Sequence, residues 1–254
     1  MATFEELVAE GSAVPVDGWD FSWFAGRATE ERPSWGYARL MGERMAAARR
    51  ALDLQTGGGE VLASIPTAPE VLVATEGWPA NAALARERLA PLGGKVVEVG
   101  EDEPLPFPDG AFDLVVSRHP VAVNWAEVAR ILEPGGTYFS QQVGAGSLSE
   151  LIDFMLGPQE VGRARDPELA RESATAAGLD VVDLRSEALR IEFFDVAAVI
   201  VFLRKVIWTV PKFTVDAFRD RLRALYDQVE RDGAFVTHSQ RFLIEARKPA
   251  RAAT

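Results

Sequence analysis

From residue 51 onward, short apolar runs alternate with amphipathic segments, and this alternation narrows the fold more than any other feature. Residues 51–54, 71–75, 96–99, 114–117 and 137–143 read as strands bounded by turn residues. Between two of them, Pro79 sits at a first-turn position, Ala82, Ala83, Leu84 and Leu89 take helical spacing, and Gly93-Gly94 supplies a stop. Asn124 with Glu127 three residues on resembles a capping box for a helix over 125–132, which Glu133-Pro134-Gly135-Gly136 closes. Strand–helix alternation of this kind predicts an α/β fold with a doubly wound, mostly parallel sheet.

The flanks read differently. Residues 1–50 are rich in aromatics (Phe21, Trp23, Phe24, Trp35, Tyr37), with a helix expected over 34–50 and Ser34 as its N-cap. Beyond the core, a strand over 179–184, an apolar helix over 193–208, an amphipathic helix over 215–229 and a last strand over 241–246 are expected. These assignments imply one domain: an N-terminal helical cap (1–50), a core (51–190), a helical insertion (191–235), and the last strand and tail (236–254).

Composition removes several chemistries. The 254 residues contain no cysteine, so disulfides, thiolate zinc sites and thiol nucleophiles are excluded. Only two histidines occur, far apart, and the acids form no calcium-loop pattern, so no metal site is expected. The net charge of −11 disfavours nucleic acid and an anionic membrane surface as partners. The beginning carries no secretory pattern and no apolar run is long enough for a membrane span, so the cytoplasm is the expected location.

Three segments carry candidate chemistry. The first is Leu52-Asp53-Leu54-Gln55-Thr56-Gly57-Gly58-Gly59-Glu60, a glycine loop leaving a strand, where backbone can approach a ligand closely. A dinucleotide fingerprint fails there, because counting from Gly57 puts Leu62 at the third glycine position. The alternative is a nucleoside ligand without a pyrophosphate, with Asp53 at the strand end facing a cationic group. The second segment ends the next strand with Glu76, where a carboxylate can accept both hydroxyls of a ribose. The third, from Gly100-Glu101-Asp102 through Leu105-Pro106-Phe107-Pro108-Asp109-Gly110 to Ser117, ends a strand in acids and turns through a proline-stiffened loop.

LDLQTGGG, VATEGWPANAALARERL, LPFPDGAFDLVVS and EVARILEPGGTYF, in this order, resemble the class I S-adenosylmethionine-dependent methyltransferases, particularly the small-molecule, quinone-biosynthesis type. The resemblance covers residues 51–143. It implies a Rossmann-like, seven-stranded sheet with an antiparallel last strand, S-adenosyl-L-methionine as cofactor and S-adenosyl-L-homocysteine as product. It also implies a cofactor set of Asp53, Gln55, Thr56, Gly57, Gly59, Glu76, Gly77, Glu101, Asp102, Ser117, Arg118 and His119. Within it Asp53 lies near the methionine amino group, Glu76 on the ribose, and Glu101 with Asp102 on the adenine. Gln55 stands where the family has its first loop glycine, so it either adopts a compatible conformation and adds a contact or weakens the cofactor.

Methyl transfer needs alignment in a dry pocket, and a base only when the acceptor must lose a proton. His119, just after the fourth strand, is the candidate base, or else it packs against the cofactor without transferring a proton. Gln141 and Gln142 are candidates for orienting the acceptor, and His238 reads as a surface or packing residue. Arg27, Arg32 and Arg39 either reach a cofactor carboxylate or form a solvated face, and the N-terminal aromatics either lid the cofactor or fill a core. The apolar segment over 193–208 roofs an acceptor, packs in the core, or forms the seam of a homodimer. The expected function is methyl transfer to O, N or C of a small-molecule acceptor. The alternatives are methylation of an RNA base and a non-catalytic binding protein of the same fold.

Overall fold

The computed structural model describes residues 2–16, 20–100 and 103–250. In chain order its elements are α1 (Phe4–Ala13), β1 (Ala28–Glu30), α2 (Tyr37–Ala47), β2 (Arg50–Leu54), β3 (Val71–Glu76), α3 (Pro79–Leu89), β4 (Lys95–Glu98) and β5 (Phe112–Arg118). Then follow α4 (Trp125–Ile131), β6 (Leu132–Val143), α5 (Ser149–Leu156), α6 (Pro167–Ala176), β7 (Asp180–Phe193), α7 (Val196–Lys205), α8 (Arg219–Asp232) and β8 (Phe235–Arg247). The strand order is β1-β7-β8-β6-β5-β2-β3-β4. The pairs β2–β3, β2–β5, β3–β4 and β5–β6 are parallel, and β6–β8 is antiparallel. The doubly wound α/β reading and its reversed last strand hold. Among the described residues the sheet has eight strands where seven are expected; the added strand is β1, three residues long and antiparallel to the end of β7.

Contacts divide the chain into two compact units. The first comprises residues 1–32, 145–162 and 188–240, and the second 33–144, 163–187 and 241–254. The first has its own core, in which α7 is buried almost all round (Val196–Ile200, Leu203) and meets Phe4, Leu7 and Val8 of α1 and Leu222, Leu225 and Val229 of α8. Trp23 and Phe24 pack against that core, and Arg27 pairs with Glu10 and Asp195. The N-terminal aromatics among them are therefore core-supporting side chains.

The second unit carries two cores, one on each face of its sheet. One joins Met41, Met45, Leu62, Ala85, Leu89 and Phe139; the other joins Leu52, Val115, Ile131, Tyr138, Phe242 and Ile244. Alternation along a strand explains the division: Val115 and Val116 are adjacent in β5 and fall in different cores.

Several boundaries differ from the sequence reading for local reasons. Helix α2 begins at Tyr37 with Gly36 at its N-cap in the left-handed region, because Ser34 turns its N–H and hydroxyl to Glu187. Asn124 caps α4 by accepting from Glu127 N–H at 3.2 Å, but no reciprocal half forms, since Glu127 binds Leu105 N–H and Arg130. Asp195 caps α7 at Ala198 N–H, which starts that helix at Val196 rather than 193. No α-helix follows the glycine loop. Residues 60–70 contain Pro66 and Pro69, and each proline removes an N–H and disfavours the helical region in the residue before it. Only the 3-10 turn Leu62–Ser64 forms before β3.

Arg130 holds the proline loop after β4. Its guanidinium donates to Phe107 O at 2.6 Å and Leu105 O at 3.0 Å and pairs with Asp109 and Glu127. Phe107 packs edge-on against Phe112 at the start of β5. Arg130→Ala leaves two carbonyls and two carboxylates without this partner. Urea unfolding should show a loss of about 1–3 kcal/mol, with faster amide exchange confined to residues 103–111.

Candidate functional site

In the second unit the parallel strands all end on one edge. The strand order places β2 between β3 and β5, with β4 outside β3 and β6 outside β5. Chain direction across the sheet therefore reverses at the β2–β5 pair, the switch point where loops diverge and an open sheet accepts ligands. Asp53, Gln55 and the glycines follow β2, Glu76 ends β3, Arg118 and His119 follow β5, and Gln141 and Gln142 end β6. The structure brings these residues together along one edge. Glu101 and Asp102, expected on an adenine, lie outside the described residues.

Asp53 is buried, 6% exposed, and its Oδ2 accepts from the Thr56 hydroxyl at 2.6 Å. Burial pushes its carboxyl up to about 7; the Thr56 bond pulls it down, and the nearby Glu76 charge pushes it up. The glycine loop is shaped by backbone: Gly57 and Gly59 have φ of +63° and +80°. A Cβ at Gly59 would lie 3.2 Å from Ala85 Cα, whereas one at Gly57 would meet nothing within 4 Å. Glu76 supports the loop, accepting from Gly57 N–H at 2.8 Å and from Trp78 N–H at 2.9 Å. A Cβ at Gly77 would lie 3.0 Å from Val99 O, so that position needs glycine for close backbone packing.

Gln55 has φ +55°, the left-handed conformation that a glycine would take without cost. Its amide crosses the switch point. Gln55 Nε2 donates to Ala122 O at 2.9 Å, and Oε1 accepts from Val121 N–H at 2.7 Å. The two bonds tie the loop after β2 to the loop after β5. Gln55 thus takes the conformation a glycine would take and adds a contact between the two loops.

Other candidates sort by what they touch. Ser117 is fully buried; its hydroxyl bonds Tyr138 at 2.8 Å and Ser140 at 2.9 Å, and its carbonyl accepts from Tyr37 at 2.9 Å, so its side chain belongs to the sheet interior. Burial pushes Tyr37 well above its ordinary value and Tyr138 up to about 12, so both stay neutral donors. Arg118 is exposed. His119, at φ +54°, donates its N–H to Gln141 O at 2.7 Å, and its ring Nε2 lies 2.9 Å from Gln141 Nε2. Burial, with Arg118 and Arg241 nearby, pushes its imidazole down to about 3, which removes the proton affinity a general base needs near neutrality. Gln142 lies 3.5 Å from the Tyr138 hydroxyl. Of the arginines considered for a ligand carboxylate, Arg27 and Arg39 are paired with acids, and Arg32 is exposed. His238, in the first unit, is a partnered surface residue whose Nδ1 bonds Glu150 at 2.7 Å. Sequence reasoning missed Trp35, whose indole donates to Gln141 Oε1 at 2.8 Å. Its only signal was an aromatic two residues before Tyr37.

Among the described residues no group of three His, Asp or Glu side chains gathers as a metal site, and no helix is long and apolar enough to cross a membrane.

The sheet order and the loops gathered at its switch point define a doubly wound, Rossmann-like α/β fold. Residues 52–140 match the family described as methyltransferase domain. No curated protein matches the chain. Among solved structures, it is similar to a functionally unknown protein from Deinococcus radiodurans R1, with 16% identity, 87% of this chain and 90% of that one covered, and a TM-score of 0.62. It is also similar to the YcgJ protein of Bacillus subtilis, with 17% identity, coverage of 84% and 98%, and a TM-score of 0.60. A third is a geranyl diphosphate methyltransferase in complex with S-adenosylmethionine, with 14% identity, coverage of 83% and 84%, and a TM-score of 0.50. At these identities the likeness is one of fold.

Two predictions follow from the loop geometry. Gln55→Ala removes both amide bonds and keeps a Cβ at positive φ, whereas Gln55→Gly removes the bonds and relieves the backbone. Urea unfolding should rank stability as parent, Gly variant, Ala variant, with the Ala variant lower by about 1–3 kcal/mol and the Gly variant recovering about 1 kcal/mol of that. A Gly variant no better than Ala removes the case for strain at this position.

Asp53 sets a pH slope. The folded chain holds its proton to about pH 7, while the unfolded chain releases it near the ordinary aspartate value of 3.8. Between these values the native state binds the proton more tightly. Stability therefore falls as pH rises through that window, by up to about 1.4 kcal/mol per unit. Asp53→Asn should flatten the pH dependence of the unfolding midpoint between pH 5 and 7.

Proposed function

We propose that the chain is an S-adenosylmethionine-dependent methyltransferase acting on a small-molecule acceptor. The observation that carries the reading is a buried carboxyl, Asp53, beneath a glycine loop that leaves open space above Gly57. A buried acid raised to about 7 gains most from a cationic partner, and the cofactor's methionine end offers an ammonium and a sulfonium. Glu76 gives two oxygens to backbone N–H groups and retains lone pairs for a vicinal diol, since a carboxylate offers about four acceptor sites. The residues present therefore fit the group by charge, by acceptor count and by space.

When bound, the cofactor supplies a methyl group on a cationic sulfur, open to in-line attack by a lone pair. The chain's own residues bind and orient. Asp53 neutralises the amino acid end, Glu76 holds the ribose, and Gly57 and Gly59 let backbone approach without side chains. Thr56 donates to Asp53 and so keeps its carboxylate ionised beside a cation. Gln55 holds the acceptor-side loop at a fixed distance from the cofactor loop, the positioning on which alignment depends. A small acceptor is favoured over RNA by charge. The net charge is −11, and Arg49, Arg50, Arg86, Arg88, Arg130, Arg163, Arg171 and Arg185 are each paired with a carboxylate, which weakens any basic track.

Calorimetry with S-adenosylmethionine tests the reading. Binding should release a proton at pH 6.5, because the cation selects ionised Asp53, and affinity should rise from pH 6 to 8. Asp53→Ala and Glu76→Ala should each weaken binding about 10- to 100-fold, the loss of a hydrogen bond to a charged group. No binding at millimolar cofactor overturns the proposal.

A further inference from the structure

Trp35, Gln141 and His119 form a chain of donors and acceptors whose direction is determined by its first member. The indole N–H of Trp35 only donates, and it meets Gln141 Oε1 at 2.8 Å. That contact decides which end of the amide is oxygen. The other end, Gln141 Nε2, only donates and faces His119 Nε2 at 2.9 Å. His119 Nε2 must then accept and carries no proton, so a neutral ring carries its proton on Nδ1.

The surroundings keep this state. Gln141 is buried, 4% exposed, as is Trp35 at the same value, so water does not compete for the amide. The His119 backbone is held in the left-handed region, with its own N–H on the Gln141 backbone carbonyl, so the two residues are joined both through backbone and through ring and amide. Burial and the cations Arg118 and Arg241 oppose a positive charge on the ring. No described residue bonds Nδ1, and that atom is not among the buried unpartnered ones. A non-glycine residue held at positive φ is a cost that a site sustains when a side chain must be aimed.

We propose that His119 is a neutral hydrogen-bond donor through Nδ1–H for an oxygen lone pair of a bound ligand, and that Gln141 and Trp35 are positioning residues that fix its tautomer. The tautomer stands on the contacts alone; the identification of that ligand with the methyl acceptor rests on the proposed function. The acceptor class it fits carries a carboxylate, phenolate or carbonyl oxygen beside the attacking atom. Its nucleophile reacts without giving a proton to His119, because the ring lone pair is held by Gln141.

The chain has two histidines, so the test is direct. Long-range proton–nitrogen spectra of the protein labelled with 15N-histidine, assigned with His238→Asn, should show His119 with a protonated Nδ1 and a bare Nε2, unchanged from pH 8 to pH 5. Gln141→Glu puts an acceptor against both Trp35 and His119 Nε2, so the proton should move to Nε2. Trp35→Phe frees the amide to turn and should give a mixture of tautomers, a second route if the first variant fails to fold. Benzoate at millimolar concentration, as an oxygen-bearing probe, should shift the Nδ1 resonance of the parent protein, and benzylammonium should not. An Nε2–H tautomer in the parent, a ring titrating near its ordinary value, or no response to benzoate overturns the proposal. These readouts need neither cofactor nor turnover. A failed calorimetric titration with S-adenosylmethionine beside an Nδ1–H spectrum would therefore sink the methyltransferase reading and leave the donor role standing.

Discussion

A carboxyl group buried at the end of the central strand is the constraint around which the second unit is arranged. Asp53 sits where β2 ends between β3 and β5, under the glycine loop, with the Thr56 hydroxyl as its hydrogen-bond donor. One neutral hydroxyl does not offset the cost of an ion at that depth, so the group keeps its proton to about pH 7. Glu76 close by adds a second negative field. Two acids thus converge on one open loop. The cost is carried by the apolar cores on both faces of the sheet, which bury Leu52, Leu114, Val115, Val116 and Phe139 around the same strands.

The loop above Asp53 is held without the usual helix. In a strand–loop–helix unit the first helical turn presents N–H groups to a ligand and fixes the loop's far end. Here Pro66 and Pro69 prevent that helix, and two side chains take over its structural task. Glu76 accepts Gly57 N–H, and the Gln55 amide fastens the near end of the loop to residues 121 and 122. Position 55, held at positive φ, is the anchor. Loss of the helix and gain of the glutamine are thus two sides of one local solution, because a loop with neither would have no hydrogen-bonded restraint across the switch point.

Much of this was legible from residues. The alternation after residue 51 fixed the parallel strands because a run bounded by turn residues has few other folds, and Asp53 and Glu76 at strand ends fell on one edge for the same reason. What escaped were features made by distant partners. Ser34 has the chemistry of an N-cap, but Glu187 takes it, and no local pattern announces a partner 153 positions away. Residues 60–70 hold no α-helix, as Pro66 and Pro69 dictate. Ser117 sits at the right height for a ligand and on the wrong side of the strand, a difference of one step in a period of two. His119 follows β5 as its sequence position implies, but its protonation state depends on Gln141 and, through it, on Trp35.

Gln55 and His119 are both non-glycine residues in the left-handed region, and they flank the same switch point. Each is kept there by an amide: Gln55 by its own, His119 by that of Gln141. An amide is suited to such a place because it donates at one end and accepts at the other, and it stays uncharged beside a buried acid and a neutral imidazole. A carboxylate at position 55 would repel Ala122 O, and an ammonium would leave Val121 N–H without an acceptor. The same reasoning applies at position 141, where a carboxylate would draw the proton to His119 Nε2. The strain of the two turns, of order 1–3 kcal/mol each, is thus matched to side chains that aim without adding charge. That leaves Asp53 and Glu76 as the acids that set the field at this edge of the sheet.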